Sequence, residues 1–276
     1  MIPGRVGAEE PLCRSVDGMT TRRAVVTGAS SGIGEATVRA LRAGGWDVVG
    51  VARRADRLEA LDAEVRSVSF AADLMSSADV DALAEHLSAT GHVHALVHVA
   101  GGARGTDRVE DGVAEDWRWM FEVNVLSAQR VTAAVLPLLR ASIGEGGHAD
   151  TLFVTSTAAQ TAYPGGSGYN AAKAGESMLA RALRLELNGE PIRVTEIAPG
   201  MVFTEEFTLN RLGGDRAAAE KVYEGVADPL TAADVADVIA YALNAPGHVN
   251  LDLVTMRPVA QSAQHLLARG PLRPRV

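Results

Sequence analysis

A serine, a tyrosine and a lysine stand close together in residues 156–173, which read STAAQTAYPGGSGYNAAK. Ser156 ends a short apolar run, Thr151-Leu152-Phe153-Val154-Thr155. A Gly/Pro-rich turn follows, and Tyr169 and Lys173 then open an alanine-rich segment that runs to about Asn188. Residues four apart share one face of a helix, so a helical segment points Tyr169 and Lys173 the same way. A free phenol, with a pKa near ~10, is a poor acid-base group at neutral pH. An ammonium one turn away favours the phenolate. Such a pair can pass a proton to or from an alcohol or carbonyl oxygen, and a serine hydroxyl across the turn could hold that same oxygen. Tyr-x-x-x-Lys alone is no more than a helix surface pair. The strand-end serine and the upstream motifs change its meaning.

The elements that would position these groups follow from patterning. Arg23-Ala-Val-Val-Thr27 reads as a first strand, Gly28-Ala-Ser-Ser-Gly32-Ile-Gly34 as a glycine turn, and residues 35–43 as a helix. Strand, glycine turn and helix form a phosphate cradle: the glycines let backbone amides approach a pyrophosphate that sits at the helix N-terminus. The second strand, residues 46–51, is followed by Ala52-Arg53-Arg54. A ribose hydroxyl wants a carboxylate at this strand tip, whereas a 2′-phosphate wants arginine. The pair of guanidiniums therefore predicts NADP(H).

Further strands are expected over residues 65–70, 95–100, 151–155, 192–198 and 251–256, with helices over 56–61, 78–88, from Asp116 to Leu139, from Tyr169 onward and over 231–245. Asp73 follows the third strand as a helix cap or a contact for an adenine edge. His98, inside an apolar strand, reads as a satisfied core histidine. The spacing Thr231…Asp234 predicts a capping box, and the mixed polar stretch up to about Asp228 reads as a mobile cover over a pocket. Alternating strands and helices without repeat or linker predict an α/β fold: a single domain with a parallel, doubly wound sheet. The glycine turn, Arg53, Gly101, Ser156 and Pro199-Gly200 all fall at carboxyl ends of strands, where such sheets bind ligands.

Composition narrows the function classes. The chain has 276 residues, 47% of them hydrophobic, and a net charge of −8, which argues against a nucleic-acid or anionic-membrane surface. Its one cysteine, Cys13, leaves no internal disulfide framework and suits a reducing cytoplasm. No apolar run reaches membrane-spanning length, and scattered histidines and carboxylates predict no metal site. Residues 1–20 are set apart as a poorly ordered leader, with Met19 a candidate natural start, and residues 21–276 as the catalytic domain.

The motifs Thr27-Gly-Ala-Ser-Ser-Gly-Ile-Gly34, Asn124, Ser156, Tyr169-Asn-Ala-Ala-Lys173 and Pro199-Gly200 with Thr204, in this order and spacing over residues 22–258, resemble the short-chain dehydrogenase/reductase family. The resemblance implies a Rossmann-type fold, a nicotinamide cofactor, a small alcohol or carbonyl substrate and a homo-oligomer, tetramer or dimer. It implies Tyr169 as general acid/base, Lys173 holding the nicotinamide ribose and acidifying the phenol, Ser156 orienting the substrate oxygen, and Asn124 supporting a proton-relay water. Cofactor contacts would come from Gly28, Ser30, Ser31, Gly32, Ile33 and Gly34, from Arg53, Arg54, Asp73, Leu74, Ala100 and Gly101, from Asn124, Tyr169 and Lys173, and from Pro199, Gly200, Val202 and Thr204. His98-Val99-Ala100-Gly101 departs from the family's Asn-Asn-Ala-Gly and so lacks the asparagine contacts at that strand tip. Residues 248–259, together with Ala52-Arg53-Arg54, are similar to the NADP-dependent 3-hydroxy acid (serine-type) dehydrogenases and related aldehyde reductases. Arg104 or Arg211 could then pair with a substrate carboxylate. Two other classes compete: a catalytically silent NADP(H)-binding sensor or scaffold, which would gain nothing from Tyr169, and an S-adenosylmethionine methyltransferase, whose cofactor offers the arginines no phosphate.

Overall fold

The computed structural model describes residues 21–144 and 147–274; the leader expected over residues 1–20, with Cys13 and Met19, lies outside them. In chain order the elements are β1 Arg23–Thr27, α1 Gly32–Ala43, β2 Asp47–Ala52, α2 Ala55–Val65, β3 Val68–Ala71, α3 Ser77–Thr90, β4 Ala95–His98, α4 Ala114–Phe121, α5 Ser127–Ser142, β5 Ala149–Val154, α6 Ser167–Glu186 and β6 Ile192–Pro199. After them come β7 Val202–Phe203, α7 Phe207–Arg211, α8 Arg216–Tyr223, β8 Leu230–Thr231, α9 Ala232–Asn244, β9 Leu253–Met256, β10 Gln261–Ala263 and β11 Leu266–Leu267. Among the described residues one sheet has seven strands, all parallel, in the order β3-β2-β1-β4-β5-β6-β9. The order reverses between β1 and β4, which opens a crevice at the strands' carboxyl ends.

Apolar side chains cover both faces of the sheet, as the unbroken hydrophobic strands require. On one face Leu83 and Leu87 of α3, Val131 and Leu139 of α5, and Leu183 of α6 pack on Val25, Leu96 and Phe153. On the other, Val38 and Leu41 of α1, Leu58 and Leu61 of α2, and Ile239 and Leu243 of α9 pack on Val26, Val97 and Ile197. This is a single Rossmann-type α/β domain.

Three local readings shift. Val65 ends α2 rather than opening a strand, because Arg66 stands in the left-handed region at φ 56° and stops the helix. The cap of α3 is Ser76, which accepts the Asp79 amide, and not Asp73. The helix expected from Asp116 to Leu139 is interrupted by a π turn, Glu122–Leu126. The polar stretch after Gly200, read as a cover over a pocket, is built of α7 and α8, which line the cleft. The capping box of Thr231 and Asp234 forms as expected. His98 is buried, 3.0 Å from the Thr132 hydroxyl and stacked on Phe153, and burial pushes its pKa down to about 3. It is a neutral core histidine.

Candidate active site

The glycine turn is built by close approach. Gly28 has φ +69°, and a Cβ there would lie 2.9 Å from the Ala100 amide. A Cβ on Gly34 would meet the Gly28 carbonyl at 2.1 Å. Thr27 ties β1 to the tip of β4: its hydroxyl accepts the amides of Val99, at 3.0 Å, and Ala100, at 3.1 Å. Among the described residues no side-chain capping bond satisfies the first turn of α1. Its amides and positive end are left for an anion, so the cradle fits a dinucleotide's pyrophosphate.

One cleft of about 1570 Å³ runs along the carboxyl edge of the sheet. A site for a single drug-sized ligand holds roughly 300–1,000 Å³, so a dinucleotide and a small substrate fit together. Its walls include Gly28, Ser30, Ser31, Gly32, Ile33 and Gly34; Arg53, Arg54, Asp73 and Leu74; Ala100 and Gly101; Ser156 and Tyr169; and Pro199, Gly200, Val202 and Thr204. Asn124 and Lys173 do not line it. They lie behind Gly101, where an added Cβ would stand 2.6 Å from Asn124 Oδ1 and 3.3 Å from Lys173 Nζ.

Tyr169 and Lys173 share the inward face of α6, and both are buried. The turn before α6 is fixed to Ser156 by bonds between side chains and backbone. Ser156 Oγ accepts the Ala158 amide at 3.0 Å, and Asn170 Nδ2 donates to the Ala158 carbonyl at 2.6 Å. Burial pushes the Tyr169 phenol up, while Lys173 and the nearby Ser156 hydroxyl pull it down. Lys173 Nζ donates to the Val154 carbonyl at 3.1 Å and to Glu176 Oε2 at 2.6 Å. Asn124 spends its amide on Met120 and Gly102: Nδ2 donates to their carbonyls at 2.7 and 2.9 Å, and Oδ1 accepts the Gly102 amide at 3.2 Å. It is fully buried in the π turn, not solvent-facing.

At the other end of the cleft, Arg54 donates to Ser30 Oγ at 3.0 Å and pairs with Glu206 at 2.8 Å. Among the described residues Arg53 makes no side-chain hydrogen bond or ion pair and is exposed. α7 closes over the tyrosine: Phe207 meets the Tyr169 ring edge-on at 5.6 Å, and the Arg211 guanidinium lies 5.6 Å from the same ring centroid. Arg211 also donates to Tyr163 Oη at 2.9 Å and to the Gly165 carbonyl at 2.8 Å. Arg104 lies over Trp119 at 4.0 Å. Sequence reasoning missed Glu206 and Glu176. For Glu206 no pattern pointed the way. Glu176 had a signal, since residues 169, 173 and 176 fall at i, i+4 and i+7 of one helix face.

A Rossmann-type sheet with a glycine cradle at its switch point defines a nucleotide-binding α/β protein. The short chain dehydrogenase family model matches residues 22–211, and the chain belongs to the short-chain dehydrogenase/reductase family, oxidoreductases that use a nicotinamide cofactor. It is 50% identical over 256 residues to an uncharacterized oxidoreductase of Mycobacterium tuberculosis, covering 93% of this chain and 98% of that protein. It is 38% identical to the serine 3-dehydrogenase of Agrobacterium fabrum, over 86% of this chain and 94% of the relative. Among solved structures, the closed form of a serine dehydrogenase complexed with NADP+ superposes with a TM-score of 0.83 at 32% identity, covering 90% of this chain and 100% of that one. Among the described residues no helix is long and apolar enough to cross a membrane.

Proposed function

We propose that the chain is an NADP(H)-dependent oxidoreductase acting on a small alcohol or carbonyl compound that bears an anionic group, such as a 3-hydroxy acid or the matching aldehyde. The observation that carries this reading is the convergence of Ser156 and Tyr169 on the cleft that begins at the glycine cradle, with Lys173 directly behind. The bound nicotinamide would supply or accept the hydride. The protein does the rest. Ser156 holds the substrate oxygen, and Tyr169 gives it a proton or takes one away. Lys173 keeps an ammonium beside the phenol and reaches toward the ribose. Because the Asn124 amide is already committed, a relay water would be met by its main chain.

The anionic preference is supported by Arg104 and Arg211, both on the cleft wall, and by the serine 3-dehydrogenase relative. A panel of alcohols, aldehydes and ketones, followed by NADPH absorbance, tests the activity. Hydroxy acids should outpace their neutral analogues, and Arg211→Ala should raise KM for them more than it lowers kcat. Tight NADPH binding with no turnover across the panel would favour a binding-only protein instead.

The cofactor preference rests on Arg53 and Arg54 at the tip of β2, a tip that carries no carboxylate of its own, with Arg54 paired to Glu206 and Arg53 left exposed. A charge-assisted hydrogen bond contributes about 1.5–3 kcal/mol. Arg53→Ala should therefore weaken NADPH roughly tenfold or more and leave NADH little changed, as read by fluorescence titration. Equal losses for both nucleotides would reject the 2′-phosphate contact. Met178 and Leu185, exposed two turns apart on one face of α6, support the expected homo-oligomer, which light scattering checks. The cytoplasmic placement rests on cysteine usage and is open to cell fractionation.

A further inference from the structure

Behind the Tyr169–Lys173 pair lies a second buried set of ionisable groups. Glu176, one turn beyond Lys173 on α6, is 1% exposed, and Glu196, on β6, is fully buried. The Glu176 Oε2 accepts the 2.6 Å bond from Lys173, while its Oε1 has no hydrogen-bond partner among the described residues. Glu196 Oε1 accepts the Thr155 hydroxyl at 2.8 Å; its Oε2 faces Arg181 at 3.7 Å without a hydrogen bond. Packing alone gives no reason for a carboxylate at position 176. A buried acid with a bare oxygen is costly, and an apolar side chain on this face would often serve stability as well or better.

The carboxylate does have a geometric effect on the site. An ammonium has three N–H donors. Glu176 and the Val154 carbonyl take two of them from the core side, which leaves one for the direction of Gly101 and the cleft. It also has an electrostatic effect. The groups acting on Glu176 are Lys173 on its own helix and Glu196 on β6. Those acting on the phenol are Lys173, Tyr163, Glu176 and Ser156. Thr155, just past β5, presents its hydroxyl to Glu196, and Phe121 at the end of α4 and Val125 of the π turn pack on this part of α6 against Gly175.

We propose that Glu176 is a positioning residue of this site: it fixes Lys173 Nζ from the core side, and its own ionisation sets how much positive charge Lys173 presents to the Tyr169 phenol. The inference rests on the oxidoreductase reading above. Burial holds the Glu176 carboxyl up, to about 7, against the pull of Lys173, so its charge changes within the working range. Tyr169 and Lys173 titrate as a coupled pair. A negative charge beside the pair makes its first proton harder to lose, whichever partner gives it up. Removing that charge must let the proton leave at lower pH.

The test uses the full chain with Glu176→Gln and Glu176→Val, both of which lack the charge. The Tyr169 phenolate is followed by ultraviolet absorbance during pH titration, with the matching Tyr169→Phe protein subtracted, and NADPH affinity by fluorescence. In both variants the phenolate midpoint should fall by about one pH unit or more, a tenfold change in proton affinity, while NADPH affinity stays within a few-fold in the glutamine variant, whose amide oxygen can still accept from Nζ. With 3-hydroxypropionate as the alcohol, the rise of kcat with pH should move down by the same interval in the glutamine variant. The valine variant, which cannot hold Nζ, should lose kcat with little change in KM. A midpoint unchanged in whichever variant folds, even with a lowered melting temperature, overturns the proposal and leaves Glu176 a structural ion-pair partner. The absorbance titration needs no substrate. A wild-type protein that turns nothing over would therefore sink the oxidoreductase reading without deciding this one.

Discussion

Tyr169→Phe should lower turnover by about 10²–10⁴-fold, the usual worth of a positioned acid-base group, and leave NADPH affinity within a few-fold. The phenylalanine ring keeps the packing against Phe207 and the place under Arg211, so the fold should persist. What disappears is the hydroxyl on which Lys173 and Ser156 act. The pH dependence separates this from a general loss of fitness. Burial raises the phenol's pKa and Lys173 lowers it, with a net shift upward. Alcohol oxidation, which needs the phenolate, should therefore rise through the alkaline range, and carbonyl reduction, which needs the phenol, should fall across the same interval. The variant should show neither limb. Steady-state rates in both directions against pH provide the measurement, and wild-type rates in the variant would remove Tyr169 from the reaction.

Gly34→Ala should have the next largest effect, on cofactor affinity. The added methyl would sit 2.1 Å from the Gly28 carbonyl oxygen and 2.5 Å from its carbon. Both are backbone atoms, and Gly28 itself packs on the Ala100 backbone, so the clash is not relieved by turning a side chain. Overpacking of this kind costs about 1–3 kcal/mol. If the turn moves off the helix end to relieve it, NADPH binding weakens by roughly tenfold to a hundredfold. Calorimetric titration with NADPH, alongside a thermal melt, distinguishes lost stability from a displaced cradle. Unchanged affinity would mean that the phosphates do not sit at α1.

The sheet was legible because its strands are short, apolar and separated by helix-length segments, a pattern with few other solutions. The cradle, Ser156, Tyr169 and Lys173 were legible because their chemistry depends on local spacing. Elsewhere the controlling contacts were between residues distant in sequence. The Arg54–Glu206 pair joins residues 152 positions apart, and nothing near either one announces it. Glu196 reads as a polar interruption in a strand until Thr155 and Arg181 are seen beside it. The π turn had no local signature either. Asn124 is enclosed in it because Met120 and Gly102 together satisfy its amide.

That wide turn at Glu122–Leu126 also sets the phase of everything after it. One residue of helix corresponds to a rotation of about 100°, and a π turn accommodates a residue that a regular helix would have no room for. α5 is thereby rotated about its axis relative to α4. Asn124 can then turn inward beneath Gly101 while Val131, Val135 and Leu139 still meet the sheet. Loss of a single codon here would leave a longer, straighter helix of good propensity, yet one end or the other would show its polar side to the core. The stretch should tolerate exchanges of side chain far better than any change of length.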